Sequence, residues 1–524
     1  MLLRLAAAVL AFAAFQAASP QYDLVIWGGS VIDGSGARAR KADVAVKGGR
    51  IVAIGSVRRT SGSDAIDATG LVVSPGFIDV HTHGDDLAER PLAANFVRMG
   101  VTSIIAGNCG GSAADIGAAL TQIAEAHAAI NFATFIGHNT VRNAVMGSAN
   151  RDATLPELDQ MKALVWKGMA DGAVGFSSGL QYIPGTYAKA PELIELARVA
   201  ANAGGVYASH MRNEGTALEA AITETLRVGE ATGARVQISH LKVDSPSRWG
   251  ASEKALQMIA EARARGLVVE EDQYAYTAAS STLGIRFPSW ALEGGQQEIV
   301  GRLNDPATWS RIKEEMRGLL AERGLQDLSF ANVASHRADP TLNGLSMQQV
   351  AMKLKGSGSA DAQFEAAREM MLRGGASMVY HFMSDADVER IMKDPHVAVA
   401  SDSGVLVEGQ GVPHPRGYGN NVRVLGEYVR TRRVISLEEA IRKMTSLPAN
   451  QFRFTGRGLL RSGYAADLVV FDPSRVGDQA TFEKPHAYAT GIPYVIVNGA
   501  VVVSKGEQTA ARPGVVLKSA DTGK

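Results

Sequence analysis

The sequence is poor in cysteine, and its charges balance. Cys109 is the single cysteine among 524 residues, so an intrachain disulfide framework is excluded. Lysine plus arginine and aspartate plus glutamate both number 53, which gives a formal net charge of zero. This balance leaves no electrostatic case for nucleic acid or an anionic membrane as the main partner. With 46% hydrophobic and 20% charged residues, the composition also excludes a disordered chain.

A short apolar stretch opens the chain. Arg4 is followed by an apolar run over residues 5–15 and by small residues at 17–19. A charged start, a short apolar stretch and small residues before a cut are typical of a secretory signal. The run is well below the roughly 20 apolar residues that a bilayer span needs. We therefore predict a signal peptide over residues 1–19 and export to the periplasm, with no membrane span in the mature protein. The alternatives are a retained anchor or a buried helix.

Both ends of the remaining chain carry the same β-rich pattern. Short β-prone runs separated by glycine fill residues 20–74. The pattern returns near the C-terminus in ADLVVFDP (466–473) and YVIVNGAVVVSKGE (494–507). Two β-rich ends around a mixed middle predict one small β-sandwich domain built from residues 20–74 and 456–524.

The middle of the chain, residues 75–455, alternates apolar strands with helical stretches such as 155–169, 191–203 and 252–265. The strand candidates are FIDVH (77–81), VTSIIAG (101–107), FATFIGH (132–138), GAVGFSS (172–178), GVYASH (205–210), ARVQISH (234–240), LVVEED (267–272) and VAVASD (397–402). Eight such strands with intervening helices predict an α/β fold, a (β/α)₈ TIM-like barrel. The long gap before the last strand predicts an insertion at about 286–380, as a subdomain or lid.

Residues of the types that commonly bind metals follow these strands. They are His81, His83, Cys109, His210, His240 and Asp402. All are at predicted carboxyl ends of barrel strands, where the βα-loops of a barrel build its active site. Imidazole, thiolate and carboxylate are the ligands that zinc prefers. Any one of these histidines alone is more often a structural residue, and a buried cysteine is usually a small hydrophobe. Together they favour a zinc site.

A competing motif lies at residues 175–179. Gly175-Phe-Ser-Ser-Gly179 matches G-x-S-x-G, the nucleophile elbow of serine hydrolases. A serine triad would take a later histidine, such as His381 or His414. Short motifs of small residues arise often by chance, so the metal site is the stronger hypothesis.

The chain resembles the amidohydrolase superfamily and, within it, the D-aminoacylase (N-acyl-D-amino-acid deacylase) family. The motifs that carry the resemblance are PGFIDVHTHGD (75–85), GNCG (107–110), GFSSGLQYIPG (175–185), SHMRNEG (209–215), ISHLK (238–242), DQYAYTAASSTL (272–283), SDSG (401–404) and HPRGYG (414–419). They run in family order and, with the β-rich ends, cover nearly the whole mature chain. GNCG is the discriminating motif, since many relatives in the superfamily use a carboxylated lysine instead.

The resemblance implies roles for individual residues. Cys109, His210 and His240 would hold a tight Zn²⁺. A second, weaker position shared with Cys109 would be lined by His81, His83 and Asp402, with Asp402 also the general acid/base. Substrate contacts would come from Tyr182, Lys242, Tyr274, Ser280 and Arg416. Arg416 would grip the carboxylate of the amino acid, because a guanidinium matches a carboxylate in two parallel hydrogen bonds.

The expected function is hydrolysis of the linear amide of N-acyl-D-amino acids, or of L-Xaa-D-Xaa dipeptides, to a carboxylate and a free D-amino acid. The partner is then a small-molecule substrate. Two alternatives stay open at this point. One is a cyclic amidase resembling dihydroorotase or hydantoinase, although Cys109 stands where a lysine bridge is expected. The other is a catalytically dead, exported binding protein on the same scaffold.

Overall fold

A computed structural model describes residues 21–518, so the predicted signal peptide lies outside the described residues. Within this range the strands are β1 (Tyr22–Val31), β2 (Arg40–Lys47), β3 (Arg50–Gly55), β4 (Gly62–Asp67), β5 (Val72–Pro75), β6 (Phe77–Asp79), β7 (Thr82–His83), β8 (Val101–Ala106), β9 (Asn131–Thr134), β10 (Ile136–Gly137), β11 (Gly175–Gly179), β12 (Val206–His210), β13 (Arg235–Ile238), β14 (Val269–Gln273), β15 (Ala278–Thr282), β16 (Ala331–Ser335), β17 (Ser377–His381), β18 (Val397–Val399), β19 (Ser403–Gly404), β20 (Leu468–Phe471), β21 (Tyr494–Val497), β22 (Ala500–Ser504) and β23 (Glu507–Gln508).

The helices are α1 (Ala94–Val97), α2 (Ile116–Ala126), α3 (His138–Met146), α4 (Leu155–Asp171), α5 (Ala190–Asn202), α6 (Leu218–Thr232), α7 (Ser252–Ala264), α8 (Gln296–Asn304), α9 (Pro306–Glu322), α10 (Met347–Lys355), α11 (Ala360–Leu372), α12 (Asp385–Lys393), α13 (Arg416–Arg423), α14 (Leu437–Met444) and α15 (Ser446–Gln451). A π-helix, Val424–Thr431, continues α13 directly. Between residues 21 and 518, no helix is long and apolar enough to cross a membrane.

Strands from both ends of the chain share one nine-stranded sheet. Its order is β23-β22-β21-β20-β5-β1-β2-β3, with β4 also beside β1. The join is the antiparallel pair of β20 and β5, in which Leu468 lies opposite Pro75. Side chains of β20 alternate between two cores, because successive residues of a strand point to opposite faces. Leu468 and Val470 pack inside the terminal sheet, whereas Val469 and Phe471 pack into the main core.

Each of the eight strands predicted for the middle of the chain is present, and the α/β class is confirmed. One parallel group has the order β6-β8-β9, and the other β10-β11-β12-β13-β14-β18. Only Phe135 separates β9 from β10, and β7 pairs in parallel with β19. Strands such as β8 are buried along their whole length, as expected where helices cover a parallel sheet.

The helices that follow the strands show ordinary start signals. For α4, Thr154 accepts the backbone N–H of Glu157 while Glu157 accepts the backbone N–H of Thr154, which forms a capping box. Met161, Val165 and Met169 then recur every four residues and are buried, so one face of α4 covers the strands. This pattern explains why the periodicity of the sequence predicts the helix correctly.

The predicted insertion, 286–380, contains helices α8 to α11. Its antiparallel sheet has the order β15-β17-β16 and begins earlier, at Ala278, directly after β14. Strand β15 leaves the carboxyl end of β14, so the insertion lies beside the edge at which the predicted ligands converge. The chain returns through α12 to β18.

We expect the terminal sheet to depend on the burial of Leu468. This side chain is fully buried, whereas Val52 of the same sheet is 38% exposed. Leu468→Ala should lower the free energy of unfolding by about 3 kcal/mol, because the lost contacts leave a cavity. Val52→Ala should change it by less than about 1 kcal/mol. Urea denaturation followed by circular dichroism measures both, and equal losses in the two variants would contradict this packing.

Candidate active site

Cys109 lies at the centre of the predicted ligands. Its Sγ is 3.3 Å from His81 Nε2, 3.5 Å from His210 Nδ1 and 3.7 Å from His240 Nε2. All four side chains are buried. They lie at or just after the ends of β6, β8, β12 and β13, the strands that the sequence analysis names for them. The structure thus brings these four predicted residues together.

His83 and Asp402 are brought together by the short pair of β7 and β19. The pair is parallel, with Thr82 opposite Ser403 and His83 opposite Gly404, and the backbone N–H of Asp402 donates to the His81 carbonyl at 2.9 Å. His83 Nε2 is 3.1 Å from Asp402 Oδ1, and the same oxygen is 3.6 Å from His81 Nε2. The His83 side chain is 44% exposed and marks the solvent side of the cluster.

The backbone at three of these residues is in the left-handed region. The φ angles are 54° at Cys109, 34° at His240 and 51° at Asp402. Residues other than glycine adopt such angles rarely, and they do so most often at functional sites. The close fit around Cys109 also requires glycine at Gly179, since a Cβ there would lie 1.9 Å from the Cys109 carbonyl oxygen.

The second nitrogen of each buried imidazole faces a side-chain oxygen. The pairs are His240 Nδ1 with Glu214 Oε1 at 2.9 Å, His210 Nε2 with Gln181 Oε1 at 3.0 Å, and His81 Nδ1 with Asp272 Oδ1 at 3.4 Å. In metal sites, such partners fix the ring orientation and the tautomer of the ligating histidine. The first nitrogen of each ring is thereby directed at the Cys109 sulfur.

These three partners are functional residues that the sequence reasoning missed. Glu214 belongs to the motif at 209–215, and Asp272 ends a predicted strand. The available signal for Glu214 was its place four residues after His210, within a motif already singled out. For Gln181 the sequence carries no signal beyond its neighbour Tyr182.

Glu214 also forms a buried ion pair with Lys242. The Lys242 ammonium lies 2.8 Å from both carboxylate oxygens, and both side chains are almost fully buried. Burial raises the pKa of Glu214, but the Lys242 charge and the His240 ring outweigh this effect and hold it well below the ordinary value. Glu214 is therefore ionised at neutral pH.

The electrostatics of the cluster favour a bound cation. Burial raises the pKa of the Cys109 thiol, but His81 and His210 bring it well below its ordinary value, so the sulfur is a thiolate. Burial lowers the pKa of His81, yet the Cys109 and Asp272 charges raise it well above its ordinary value. The buried Cys109 and Asp272 charges thus require positive charge nearby, which either a protonated imidazole or a metal cation can supply.

The spacing of the donor atoms fits a zinc ion. Zinc binds sulfur at about 2.3 Å and nitrogen at about 2.0 Å in a tetrahedron, which separates sulfur from nitrogen by about 3.5 Å. The three sulfur–nitrogen distances of 3.3–3.7 Å match this value. Donor atoms of His81, His83 and Asp402 also lie within 4.8 Å of one another. The residues present can thus hold one metal ion around Cys109 and a second beside it.

Arg416 lies on the Asp402 side of the cluster. Its Nη1 is 2.9 Å from Asp402 Oδ2, and its guanidinium is 4.6 Å from the centre of the Tyr274 ring. Burial raises the pKa of Asp402, but the Arg416 charge and the hydrogen bond with His83 hold it well below the ordinary value. Asp402 is thus a carboxylate at neutral pH, as a proton acceptor must be.

His414 anchors the loop that carries Arg416. The backbone N–H of Arg416 donates to His414 Nδ1 at 3.0 Å, and His414 Nε2–H donates to the Ala278 carbonyl at 2.9 Å. This pattern requires a neutral imidazole, and burial lowers the pKa of His414 well below its ordinary value. The loop is thereby fixed to the start of the insertion.

A narrow cavity opens over the cluster. Its lining includes the predicted contacts Tyr182, Lys242, Tyr274 and Ser280, together with Asp402. The Tyr182 ring lies 4.6 Å from the His210 ring, and its hydroxyl accepts a hydrogen bond from Ser281 at 3.2 Å. The Ser280 hydroxyl donates to the Met378 carbonyl at 3.1 Å, so it holds the sheet of the insertion as well as lining the cavity. The structure therefore brings the predicted substrate contacts to the predicted metal cluster.

The serine-hydrolase alternative does not fit this geometry. Ser177, the central serine of G-x-S-x-G, is fully buried. Its hydroxyl donates to the Gly107 carbonyl and accepts the backbone N–H of Gly110 at 3.1 Å. Ser177 therefore supports the turn that carries Cys109.

Comparison with known proteins identifies the family. The model of the amidohydrolase family matches residues 64–279 and 330–503. The chain belongs to the amidohydrolase family. This amidohydrolase is 36% identical to a D-aminoacylase of Alcaligenes xylosoxydans xylosoxydans, over 96% of this chain and 99% of that protein.

Two solved structures are similar to this amidohydrolase with a TM-score of 0.82, and each comparison covers 95% of this chain and 100% of the other. One is N-acyl-D-glutamate deacylase from Bordetella bronchiseptica, 34% identical, complexed with zinc and a phosphonate inhibitor that mimics the tetrahedral intermediate. The other is a D-aminoacylase, 35% identical, with a binuclear metal centre in which one metal activates and the second attenuates. The α/β fold of the chain is thus that of the D-aminoacylase structures.

We expect removal of the Glu214 carboxylate to lower the free energy of unfolding more than removal of the Glu224 carboxylate. Glu214→Ala would leave the Lys242 charge buried without its partner and should lower the free energy of unfolding by about 3–5 kcal/mol. Glu224 forms a comparable pair with Arg212 in a partly exposed position. Glu224→Ala should therefore cost about 1 kcal/mol or less. Denaturant unfolding measures both losses.

The double variant Glu214→Ala/Lys242→Met isolates the pair. It removes both buried charges, so it should lose less stability than the two single variants added together. Simple additivity would show that Glu214 and Lys242 do not depend on each other.

Proposed function

We propose that the protein is a zinc-dependent hydrolase of the linear amide in N-acyl-D-amino acids or L-Xaa-D-Xaa dipeptides. The products are a carboxylate and a free D-amino acid. The observation that carries the proposal is the Cys109 cluster placed beside the Asp402–Arg416 pair. One part of this arrangement suits a hydrolytic metal, and the other suits an amino-acid carboxylate. The full-length similarity to a D-aminoacylase supports the same substrate class.

Cys109, His210 and His240 would hold the tight zinc ion. His81, His83 and Asp402 would line a second, weaker position that shares the Cys109 sulfur. When bound, zinc supplies Lewis-acid activation of water and of the amide carbonyl. The zinc in the deacylase structure and the binuclear centre of the D-aminoacylase support this assignment.

Asp402 would move the proton. Its carboxylate is ionised and buried at the edge of the cluster, within 3.6 Å of His81 and 3.1 Å of His83. It can accept the proton of the attacking water and return that proton to the nitrogen of the leaving amine. The ion pair with Arg416 keeps the carboxylate oriented while the proton is transferred.

Arg416 would bind the substrate carboxylate. The Arg416 guanidinium forms an ion pair with Asp402. Among residues 21–518, however, its Nη1 has no hydrogen-bond partner, so this nitrogen can still donate to a substrate. A guanidinium can donate two parallel hydrogen bonds to a carboxylate. With the carboxylate at Arg416 and the amide at the cluster, the side chain of the amino acid can point in only one direction from the chiral carbon. Tyr182, Lys242, Tyr274 and Ser280 would contact the substrate in the narrow cavity.

For the scaffold we propose a closed (β/α)₈ barrel over residues 75–455, interrupted by the insertion at about 286–380. Its support is the single residue between β9 and β10 and the pairing of β7 with β19. Residues 20–74 and 456–524 would form the small β-sandwich domain. The nine strands that they share support this division.

We also propose that the enzyme is exported to the periplasm. The support is the signal-like composition of residues 1–19 in the sequence. D-terminal dipeptides from peptidoglycan debris would be available to an enzyme in that compartment.

The first experiment is amine release from paired N-acetyl-D- and N-acetyl-L-amino acids by zinc-replete protein. The panel spans acidic, aromatic, aliphatic and basic side chains and includes L-Xaa-D-Xaa dipeptides. We expect turnover confined to the D series, because with the carboxylate and the amide held in place only one enantiomer directs its side chain to the open side of the site. Preference for L substrates would contradict the substrate assignment. Silence on every linear amide would favour the cyclic-amidase alternative.

Removal of Cys109 should abolish zinc binding and turnover together. Cys109→Ala deletes the thiolate that all three imidazoles face, so we expect loss of tightly bound zinc by elemental analysis after dialysis. The matched control is Ser177→Ala, which alters the same turn without removing a donor, and it should retain zinc and measurable turnover. Full zinc content in Cys109→Ala would overturn the assignment.

A further inference from the structure

A large cavity adjoins the narrow one over the cluster. Its volume is about 1050 Å³, and it lies between the insertion and the loop that follows β11. Gln181, Tyr182 and Ile285 line both cavities, so the two are adjacent. A pocket of this size lies at the upper end of the range for small-molecule sites. An acetyl group would fill only a small part of it.

The lining of the large cavity is mixed and exposes more apolar than polar surface. The apolar members are Ile183, Ile285, Phe287, Leu292, Ile299 and Met371. No aspartate or glutamate is part of the described lining. Its two charged residues, Arg337 and Arg373, are exposed, and the Arg373 guanidinium donates to the Ala338 carbonyl at 2.9 Å. The interior therefore suits an apolar group.

The position of the cavity relates it to one half of the substrate. Asp402 borders the narrow cavity, and its partner Arg416 would hold the carboxylate of the amine half. Neither residue lines the large cavity, which meets the narrow one at Gln181, Tyr182 and Ile285. The acyl and amine halves extend from opposite ends of the amide, so with the amine half held at Arg416 the acyl half would extend toward the large cavity.

We propose that the large cavity is the acyl-binding subsite, and that the enzyme acts on N-acyl-D-amino acids with extended, apolar acyl chains. This inference rests on the proposed function. It adds the class of acyl group, which that proposal leaves open.

The size of the expected effect follows from the burial of methylene groups. Each methylene moved from water into an apolar cavity contributes a factor of about three to four in binding. The gain appears in kcat/KM where the chain is bound in the transition state. From acetyl to octanoyl we therefore expect a rise of at least about tenfold, even if only some of the added methylenes are fully buried.

The test uses zinc-replete full-length protein and a series of N-acetyl, N-butanoyl, N-hexanoyl and N-octanoyl derivatives of one D-amino acid. The D-amino acid is the best substrate of the acetyl panel. We expect kcat/KM to rise along the series. A flat or falling series, with clear turnover of the acetyl compound, would overturn the subsite and leave the proposed function intact. Absence of turnover throughout would instead contradict the proposed function.

Two variants of α8 locate the effect. Ile299→Asp places a charge in the apolar lining, and it should reduce the octanoyl-to-acetyl ratio of kcat/KM by about tenfold or more. Val300→Asp makes the same change at the neighbouring position, which is not part of the lining, and it should keep the wild-type ratio. Thermal melting of both variants verifies folding. An unchanged ratio in Ile299→Asp would overturn the proposal.

A second outcome would also overturn it. If Ile299→Asp changed the ranking of D-amino-acid side chains at constant N-acetyl, the cavity would belong to the amine half. The acetyl panel repeated with this variant makes that distinction.

Discussion

The candidate site depends on the interaction between the Cys109 thiolate and the imidazoles around it. A buried anion is costly unless positive charge or hydrogen bonds surround it. Here three imidazole nitrogens lie within 3.7 Å of the sulfur, and the neighbouring histidines lower the pKa of Cys109 while the Cys109 and Asp272 charges raise that of His81. Protons partly compensate for the negative charge, and a divalent cation would do so more completely. The same spacing that holds the thiolate thus prepares the site for a metal.

The backbone holds this arrangement rigidly. Left-handed φ angles at Cys109, His240 and Asp402 are unfavourable for these residues in isolation, so the surrounding strands must impose them. Each angle falls immediately after a buried strand, where the chain turns into a loop. The strands supply the rigidity, and the turns direct the side chains. The terminal sheet contributes by packing Val469 and Phe471 into the main core beneath these strands.

Much of this could be predicted from the sequence. Buried parallel strands give continuous apolar runs, so all eight were located, and the six ligands follow because each stands directly after a run. Glu214 and Gln181 were missed since neither is a residue type, at a strand end, that the search for zinc ligands singled out. Their roles come from side chains that reach back to His240 and His210 from loops, and loop conformation has no periodic signal. Strand β15, which joins the antiparallel sheet of the predicted insertion, gives no apolar run in the sequence because it is rich in small and polar residues.

The strand ends and the cavity beside them differ in how precisely their atoms must be positioned. Amide cleavage needs donor atoms fixed to within a few tenths of an ångström, and the ends of packed strands provide such positions. Recognition of the rest of the substrate needs only a cavity of suitable shape and polarity, which the insertion provides with β15 and α8. The two solved relatives illustrate this division. Both share the fold with the same TM-score, yet one acts on N-acyl-D-glutamate and the other is described only as a D-aminoacylase. Overall similarity therefore indicates the chemistry at the strand ends, whereas the proposed acyl subsite lies in the cavity beside the insertion.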